Sequence, residues 1–283
     1  MPKVIVTGEK GALSLAVAAA LRESGMETET IGVRDDAWKQ RSFAECATVV
    51  HVAGAVPKPG VSAEDFYRVN TDLTKALAAK AKADGAKQFV YISSMAVYGI
   101  EPSLNKKTGV VRRDTVCAPT SDYGKSKLLA EQGLEALKDE SFRVAVIRVP
   151  SIYGIGKTEY FETYRYFVGR FKKIPKAYTG HYKSIICVEN LCRLISLIIQ
   201  NGSEGIFCPD DGKISAVDLC RALMPEKKTS RLLGALVCLF GWNRRVKEYY
   251  GSVCYDSELT NVFGGAYRVC DYQTMIGKIN HEK

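Results

Sequence analysis

Three observations predict a doubly wound α/β fold, in which a parallel sheet is covered by helices on both faces. Short β-branched runs alternate with helical stretches from the first residues to Val149. The first run passes through a glycine turn directly into a helix. The later runs, such as Thr48-Val49-Val50-His51-Val52, are apolar without alternation, as strands buried on both faces are.

Taken in order, Lys3 to Thr7 reads as the first strand, Gly8-Glu9-Lys10-Gly11-Ala12-Leu13-Ser14 as a turn, and Leu15 to Glu23 as a helix ending at Gly25. Strand, glycine turn and helix in this order form the context of a dinucleotide fingerprint. Gly8 would permit the tight turn, and Gly11 would let backbone amides approach a pyrophosphate at the helix N-terminus. Ser14 stands where a third glycine is expected; it is small enough for close packing, and its hydroxyl could reach a phosphate. An unrelated β-turn-α unit with two glycines is the competing reading. Glu27 to Val33 reads as a second strand closing on Arg34-Asp35-Asp36. An acid here suits the ribose of NAD and an arginine suits the 2′-phosphate of NADP, so the reading leans to NAD and leaves NADP open. Only 14 residues separate Val33 from Thr48. A crossover helix alone takes ~10–12, so the sheet should lack a strand beyond the second. Glu64 to Ala83 is a long amphipathic helix carrying Asn70, Gln88 to Ser93 a strand, Ser121 to Lys138 a helix, and Arg143 to Val149 another strand.

The chain is organised around Tyr91 to Lys127. Ser93-Ser94 supplies a hydroxyl at a strand end, and Tyr123-Gly124-Lys125-Ser126-Lys127 places a tyrosine and a lysine on one helix face. A nearby ammonium favours the phenolate of a tyrosine that otherwise titrates near ~10. Tyrosine and lysine at this spacing also occur on solvated helices. After Pro150 the texture changes: a loop from Ser151 to Gly156 leads into an aromatic, basic stretch. There Phe161, Tyr164, Phe167 and Val168 mark a packing helix. Lys183 to Val188 and Gly205 to Cys208 read as strands flanking a helix from Glu189 to Gln200. Leu232 to Phe240 reads as a helix and Tyr249 to Asp256 as a short strand. The expected organisation is a dinucleotide-binding domain over 1–155, completed by strands within 183–208. A smaller mixed α/β lobe over 156–283 is interleaved with it.

Composition sets limits on function. The formal net charge of +9 is spread over dispersed pairs such as Lys172-Lys173, Lys227-Lys228 and Arg244-Arg245, without the basic-aromatic pattern of a nucleic-acid module. Nine cysteines lie singly, and His51, His181 and His281 are far apart, so no metal-ligand spacing exists and reduced thiols are expected. The N-terminus has no signal-peptide pattern, and the longest apolar stretch, Leu232 to Trp242, falls short of a spanning helix. A cytoplasmic protein without membrane insertion is expected.

In combination these pieces resemble the extended short-chain dehydrogenase/reductase superfamily, in its NAD-dependent nucleotide-sugar epimerase/dehydratase branch. The resemblance rests on Thr7-Gly8-x-x-Gly11-x-x-Ser14, His51-x-Ala53-Gly54, Val69-Asn70-Thr71, Ser93-Ser94 with Val97-Tyr98-Gly99, Tyr123-x-x-x-Lys127 and Arg148-x-Pro150-x-x-Tyr153-Gly154. Ile185 to Leu191 and Gly251 to Ser257 extend it, the latter looking like the tail of bacterial UDP-sugar 4-epimerases. The resemblance implies a Rossmann-type fold. It makes Tyr123 the catalytic base, Lys127 its activator and a ligand of the nicotinamide ribose, and Ser94 the hydroxyl that bonds the reacting sugar oxygen. Gly8, Gly11, Ser14, Arg34, Val52, Ala53, Asn70 and Pro150 would join Tyr123 and Lys127 around the cofactor. Ser94, Ser151, Lys183 and Arg245 would face the substrate. Ser151 stands where many relatives carry asparagine, and Lys183 where many carry arginine. His51 reads as a buried strand histidine. The implied activity is C4 epimerisation of a UDP-hexose or UDP-N-acetylhexosamine by a homodimer. A 4-reductase or dehydratase using NAD(P)H, and a dinucleotide-binding sensor without turnover, are the alternatives.

Overall fold

The computed structural model describes residues 3–102, 104, 109–154, 159–272, 274 and 277. Gly156 and His281, named above, lie outside the described residues. The chain divides into two compact units. The first comprises Met1–Gly99, Val116–Val149 and Leu191–Pro209, and the second Ile100–Thr115, Pro150–Asn190 and Asp210–Lys283.

The first unit holds six strands: β1 (Lys3–Thr7), β2 (Glu27–Ile31), β3 (Cys46–His51), β4 (Gln88–Ser94), β5 (Arg143–Val149) and β6 (Gly205–Phe207). They lie in the order β6-β5-β4-β3-β1-β2, every pair parallel. Four helices connect them: α1 (Ala12–Glu23), α2 (residues 63–83), α3 (Asp122–Glu135) and α4 (Val188–Gln200). Ile5, Val49, Phe89 and Val146 pack with Leu77, Ala81, Ala130 and Leu134 of α2 and α3. The alternate residues Val4, Val6, Val50, Val90 and Ile147 are buried as well. Since side chains alternate across a strand, both faces are covered, which explains the unbroken apolar runs. The sheet ends at β2, as the short connection to β3 predicts. That connection holds only the Ala37–Gln40 turn of helix, and Trp38 and Phe43 fold inward from it. The doubly wound, Rossmann-type architecture follows from this order.

Helix α2 is not uniform. Ser62 and Asp65 form a reciprocal capping box at its start. Its middle, Tyr67–Asp72, widens to an i→i+5 pattern, and Asn70 and Thr71 in this wide turn are buried. Such wide turns often mark functional positions.

The second unit carries a mixed sheet in the order Lys213–Ser215, Tyr182–Cys187, Val253–Tyr255, Gly109–Val111, with Ser151–Tyr153 paired to Tyr182–Cys187. Its core includes Tyr153, Phe161, Tyr164, Ile185, Leu219 and Tyr250. Of the two strands expected within 183–208, Gly205–Phe207 joins the parallel sheet and Tyr182–Cys187 the mixed one. The strand expected over Tyr249 to Asp256 is shorter, Val253–Tyr255, because Tyr249 and Tyr250 close a helix, Arg244–Tyr250. Among the described residues no helix is long and apolar enough to cross a membrane.

Candidate functional site

The turn after β1 is held by its glycines and Ser14. Gly8 has φ +101°, a region that strains any residue with a Cβ. A Cβ at Gly11 would lie 2.7 Å from the Ser14 hydroxyl oxygen. Ser14 donates to the carbonyls of Gly8 and Gly11, so its hydroxyl fixes the turn. Gly11 caps α1 without a side-chain partner, which leaves the first N–H groups of the helix open to a phosphate. Thr7 Oγ1 accepts from the amides of Val52 and Ala53, 3.2 Å each, and ties the ends of β1 and β3 together. The Ala53 methyl approaches Gly8 closely enough that an added Cβ there would be 3.7 Å away. Gly8, Gly11, Ser14, Val52 and Ala53 therefore share one place at the carboxyl ends of the strands, and the small residues there fit a dinucleotide. Arg34 is exposed past the end of β2, and Asp35 accepts from the Ala37 amide. Sequence reasoning missed Glu9: a Cβ at Gly32 would lie 3.2 Å from the Glu9 carboxyl carbon, which sets a third charged group at this strand end.

Asn70 sits in the wide turn of α2. Its side chain accepts from the Ala55 amide (2.8 Å) and donates to the Ala55 carbonyl and the Ser126 hydroxyl (3.1 Å each). It joins the loop after β3 to α3. His51 is buried, bonded to Thr7 at 2.8 Å and Thr74 at 3.0 Å. Because Thr7 accepts two amides and Thr74 donates to the Asn70 carbonyl, the network assigns the Nε2–H tautomer. Burial, reinforced by Lys127, lowers the His51 pKa to about 3, so it is neutral at physiological pH and serves structure.

Ser94 of β4 meets Tyr123 of α3, and Lys127, one turn further along α3, reaches the backbone of β4 at Ile92. Ser121 caps α3 through the Gly124 amide, and Gly124 lies so close to the 95–98 turn that a Cβ would stand 2.6 Å from the Ala96 carbonyl. This close approach sets the first turn of α3 against the end of β4. The Ser94 oxygen accepts from the Ala96 amide at 3.1 Å, which leaves its proton free to donate. Burial raises the pKa of Tyr123, and a hydrogen-bond interaction with Ser94 pulls it back down. Phe66 packs edge-on to the Tyr123 ring at 5.7 Å. Lys127 is buried; its ammonium donates to the Ile92 carbonyl at 2.8 Å and stands 4.8 Å over the Tyr91 ring. Burial lowers its pKa to about 8, and the Glu131 carboxylate one turn further along α3 works the other way.

Beneath this trio lies a buried ion pair the sequence did not reveal. Arg148 of β5 makes a bidentate contact with Glu131, with Nη2 to Oε2 at 2.6 Å, and donates to the Tyr98 hydroxyl at 2.8 Å. Ser93 donates to the same carboxylate. Burial opposes the Arg148 charge, but Glu131 and Tyr98 raise its pKa above the ordinary value. The two adjacent serines are thereby distinguished: Ser93 is committed to Glu131, while Ser94 meets Tyr123.

The remaining candidates belong to the second unit. Pro150 is buried directly after β5, and Ser151 is exposed on its short strand. Lys183 is half-buried and donates to the Glu248 carbonyl; burial lowers its pKa to about 8. Arg245 is exposed, and its amide is capped by Asn243 at 2.9 Å. A cavity of about 640 Å³ in this unit is lined by Asp210, Lys213, Tyr255, Glu258, Asn261 and Arg268, among others, and by none of the candidate residues. Arg268 pairs with Asp210 within it.

A family model described as "NAD dependent epimerase/dehydratase family" matches residues 4–207. A UDP-glucose 4-epimerase of Vibrio cholerae is 32% identical over 185 residues, covering 62% of this chain and 56% of that protein. The chain spans about half the length of the curated relatives it matches. Among solved structures, UDP-N-acetylglucosamine 4-epimerase from Bacillus cereus superposes with a TM-score of 0.71 at 16% identity, covering 100% and 99% of the two chains. The Bordetella bronchiseptica enzyme WbmH in complex with NAD+ does so with 0.68 at 19% identity, covering 99% and 96%.

Proposed function

The chain belongs to the NAD dependent epimerase/dehydratase family, and from that premise we propose that it is an enzyme that epimerises a UDP-hexose or UDP-N-acetylhexosamine at C4. What supports this reading is the contact of Ser94 with Tyr123, with the Lys127 ammonium on the Ile92 carbonyl of the same strand, on a sheet whose first helix starts without a side-chain cap. The similarity to UDP-glucose 4-epimerases of Vibrio cholerae and Azospirillum brasilense supports the substrate class.

Bound NAD would supply the hydride acceptance and return that inverting a carbinol centre requires. Gly8, Gly11 and the open N-terminus of α1 would hold its diphosphate, with Val52 and Ala53 lining the cleft and Asn70 supporting the loop beneath. Arg34, Asp35 and Glu9 offer both charge signs at the ribose end, and Lys10 pairs with Glu9 there. Tyr123, assisted by its contact with Ser94, takes the C4 hydroxyl proton and later returns it. A general base acts within about 2.6–3.2 Å of its proton, and Ser94, with its own proton free to move, extends that reach. Lys127 places positive charge on the same helix face, at the ends of β3 and β4, where it would favour a phenolate forming on Tyr123 and meet a ribose hydroxyl. Pro150 would border the nicotinamide, while Ser151, Lys183 and Arg245 would face the sugar diphosphate. A homodimer through α2 and α3 belongs to the same proposal, and sedimentation equilibrium tests it.

The test is NMR of the product from a panel of UDP-sugars, with mass spectrometry of the dinucleotide that co-purifies. The proposal expects a C4 epimer without added cofactor. Consumption of NADPH by a 4-keto sugar with no epimer formed would overturn it in favour of a reductase. A bound dinucleotide without any turnover would mark a sensor.

A further inference from the structure

The Arg231–Leu239 helix of the second unit has two apolar faces, and only one is buried. Gly234 and Val237 are buried. Gly234 lies so close to the chain that a Cβ would collide with the Lys176 carbonyl, so the helix is seated by backbone contact on Lys176–Ala177. Ser230 caps it and fixes its start. The opposite stripe follows the helical spacing i, i+4, i+7, i+8: Leu232, Leu236, Leu239 and Phe240 are 85, 50, 72 and 49% exposed. Trp242, just beyond, is 75% exposed. Single exposed leucines need no explanation, but an uninterrupted stripe of large apolar side chains on one pinned helix does.

Charge identifies what would cover it. Residues 225–248 hold six basic and two acidic residues in a chain of net charge +9. Lys228, Arg231 and Lys247 are exposed and flank the stripe in sequence, and no acidic residue lies between Lys227 and Lys247. A symmetric contact with a second copy would bring this basic rim against itself, which is unfavourable. Leucine, phenylalanine and tryptophan on one face, rimmed by lysine and arginine, form the pattern of a helix lying in the interface of a bilayer. We propose that the 231–242 face docks on the surface of a bilayer bearing anionic headgroups. The contact is peripheral: Leu232, Leu236 and Leu239 enter the headgroup–acyl boundary, Trp242 anchors at its edge, and Lys228, Arg231 and Lys247 meet the phosphates. Nothing in it depends on the catalytic reading.

The test is co-sedimentation of the full chain with phosphatidylcholine vesicles with and without phosphatidylglycerol, followed by tryptophan emission. The chain has two tryptophans, and Trp38 is buried, so a shift on vesicle binding reports Trp242. Expected are partition onto the anionic vesicles only, weakening with salt, and a blue shift that Trp242→Phe abolishes. Leu236→Glu with Leu239→Glu should lower partition by at least about tenfold, and Arg231→Ala by about fivefold. These positions face solvent, so the circular dichroism of the variants should match the unsubstituted chain. Absence of partition onto anionic vesicles, or partition indifferent to salt and to Trp242, overturns the proposal. So does a dimer in vesicle-free solution that the two glutamates disperse, which would assign the face to a second copy.

Discussion

Replacing Lys127 by methionine should make the protein more stable at neutral pH while removing its activity. Lys127 is almost fully buried, and burial lowers its pKa from 10.5 to about 8. The unfolded chain carries a lysine that titrates near ~10.4. Between the two values the unfolded state binds more protons, so stability rises with pH through that window. Below the folded value both states are protonated, and the fold bears the whole cost of a buried charge. A shift of this size corresponds to about 3 kcal/mol. Methionine fills similar volume but forfeits the bond to the Ile92 carbonyl, worth about 1 kcal/mol. The net expectation is a gain of about 2 kcal/mol at pH ~7, or roughly 5 °C in the midpoint for a unit of this size. The gain should shrink as pH approaches ~10, where wild-type Lys127 is neutral in the fold. Scanning calorimetry of both proteins across that range measures it. A Lys127→Met protein less stable than wild type at neutral pH, with the same pH slope, would refute the reasoning.

Other perturbations read out the shell around the trio. Arg148→Met strands the Glu131 carboxylate and the Tyr98 hydroxyl, and should cost about 3–5 kcal/mol in urea unfolding; a loss below about 1 kcal/mol would mean that water reaches the pair. His51 titrates near 6.5 when unfolded and near 3 when folded, so its contribution is complete above the unfolded value and lost as pH falls toward the folded one. By pH ~4.5 that loss should reach about 3 kcal/mol relative to pH ~7.5, and His51→Gln should show a correspondingly flatter acid limb. Gly124→Ala pushes the first turn of α3 off the Ala96 carbonyl and should cost about 1–3 kcal/mol. It should lower turnover by more than that stability loss alone explains, because it separates Tyr123 from Ser94; unchanged turnover would show that this contact does not set the site.

The parallel sheet was legible because its signals are local. Apolar runs such as Val49-Val50 and the Gly8/Gly11 turn carry their meaning within a few residues. The missing edge strand followed from counting the residues between β2 and β3. Tyr123 and Lys127 were legible as a pair because helical spacing brings residues four apart to one face. Other parts depend on contacts remote in sequence. Glu131 and Arg148 look like ordinary surface charges until β5 and α3 meet. Glu9 reads as a solvated turn residue until the end of β2 is set beside it. The wide turn at Tyr67–Asp72 has no propensity signal, since it reflects how α2 must seat Asn70 against Ala55 and Ser126. That Ser14 also donates to the carbonyls of its own turn has no local signal, because it depends on how the turn folds back on the helix. The exposed stripe at Leu232 to Trp242 was visible only as a hydrophobic stretch, because sequence cannot say which of two apolar faces is covered.

The measurement that bears most directly on the central claim is turnover of the Tyr123→Phe protein on the UDP-sugar that the unsubstituted chain epimerises, with bound dinucleotide quantified in both. Phenylalanine keeps the packing against Phe66 and removes only the hydroxyl that meets Ser94. If Tyr123 is the base, turnover should fall by about 10²–10⁴-fold with dinucleotide content and unfolding midpoint unchanged. Turnover equal to that of the unsubstituted chain would contradict the account.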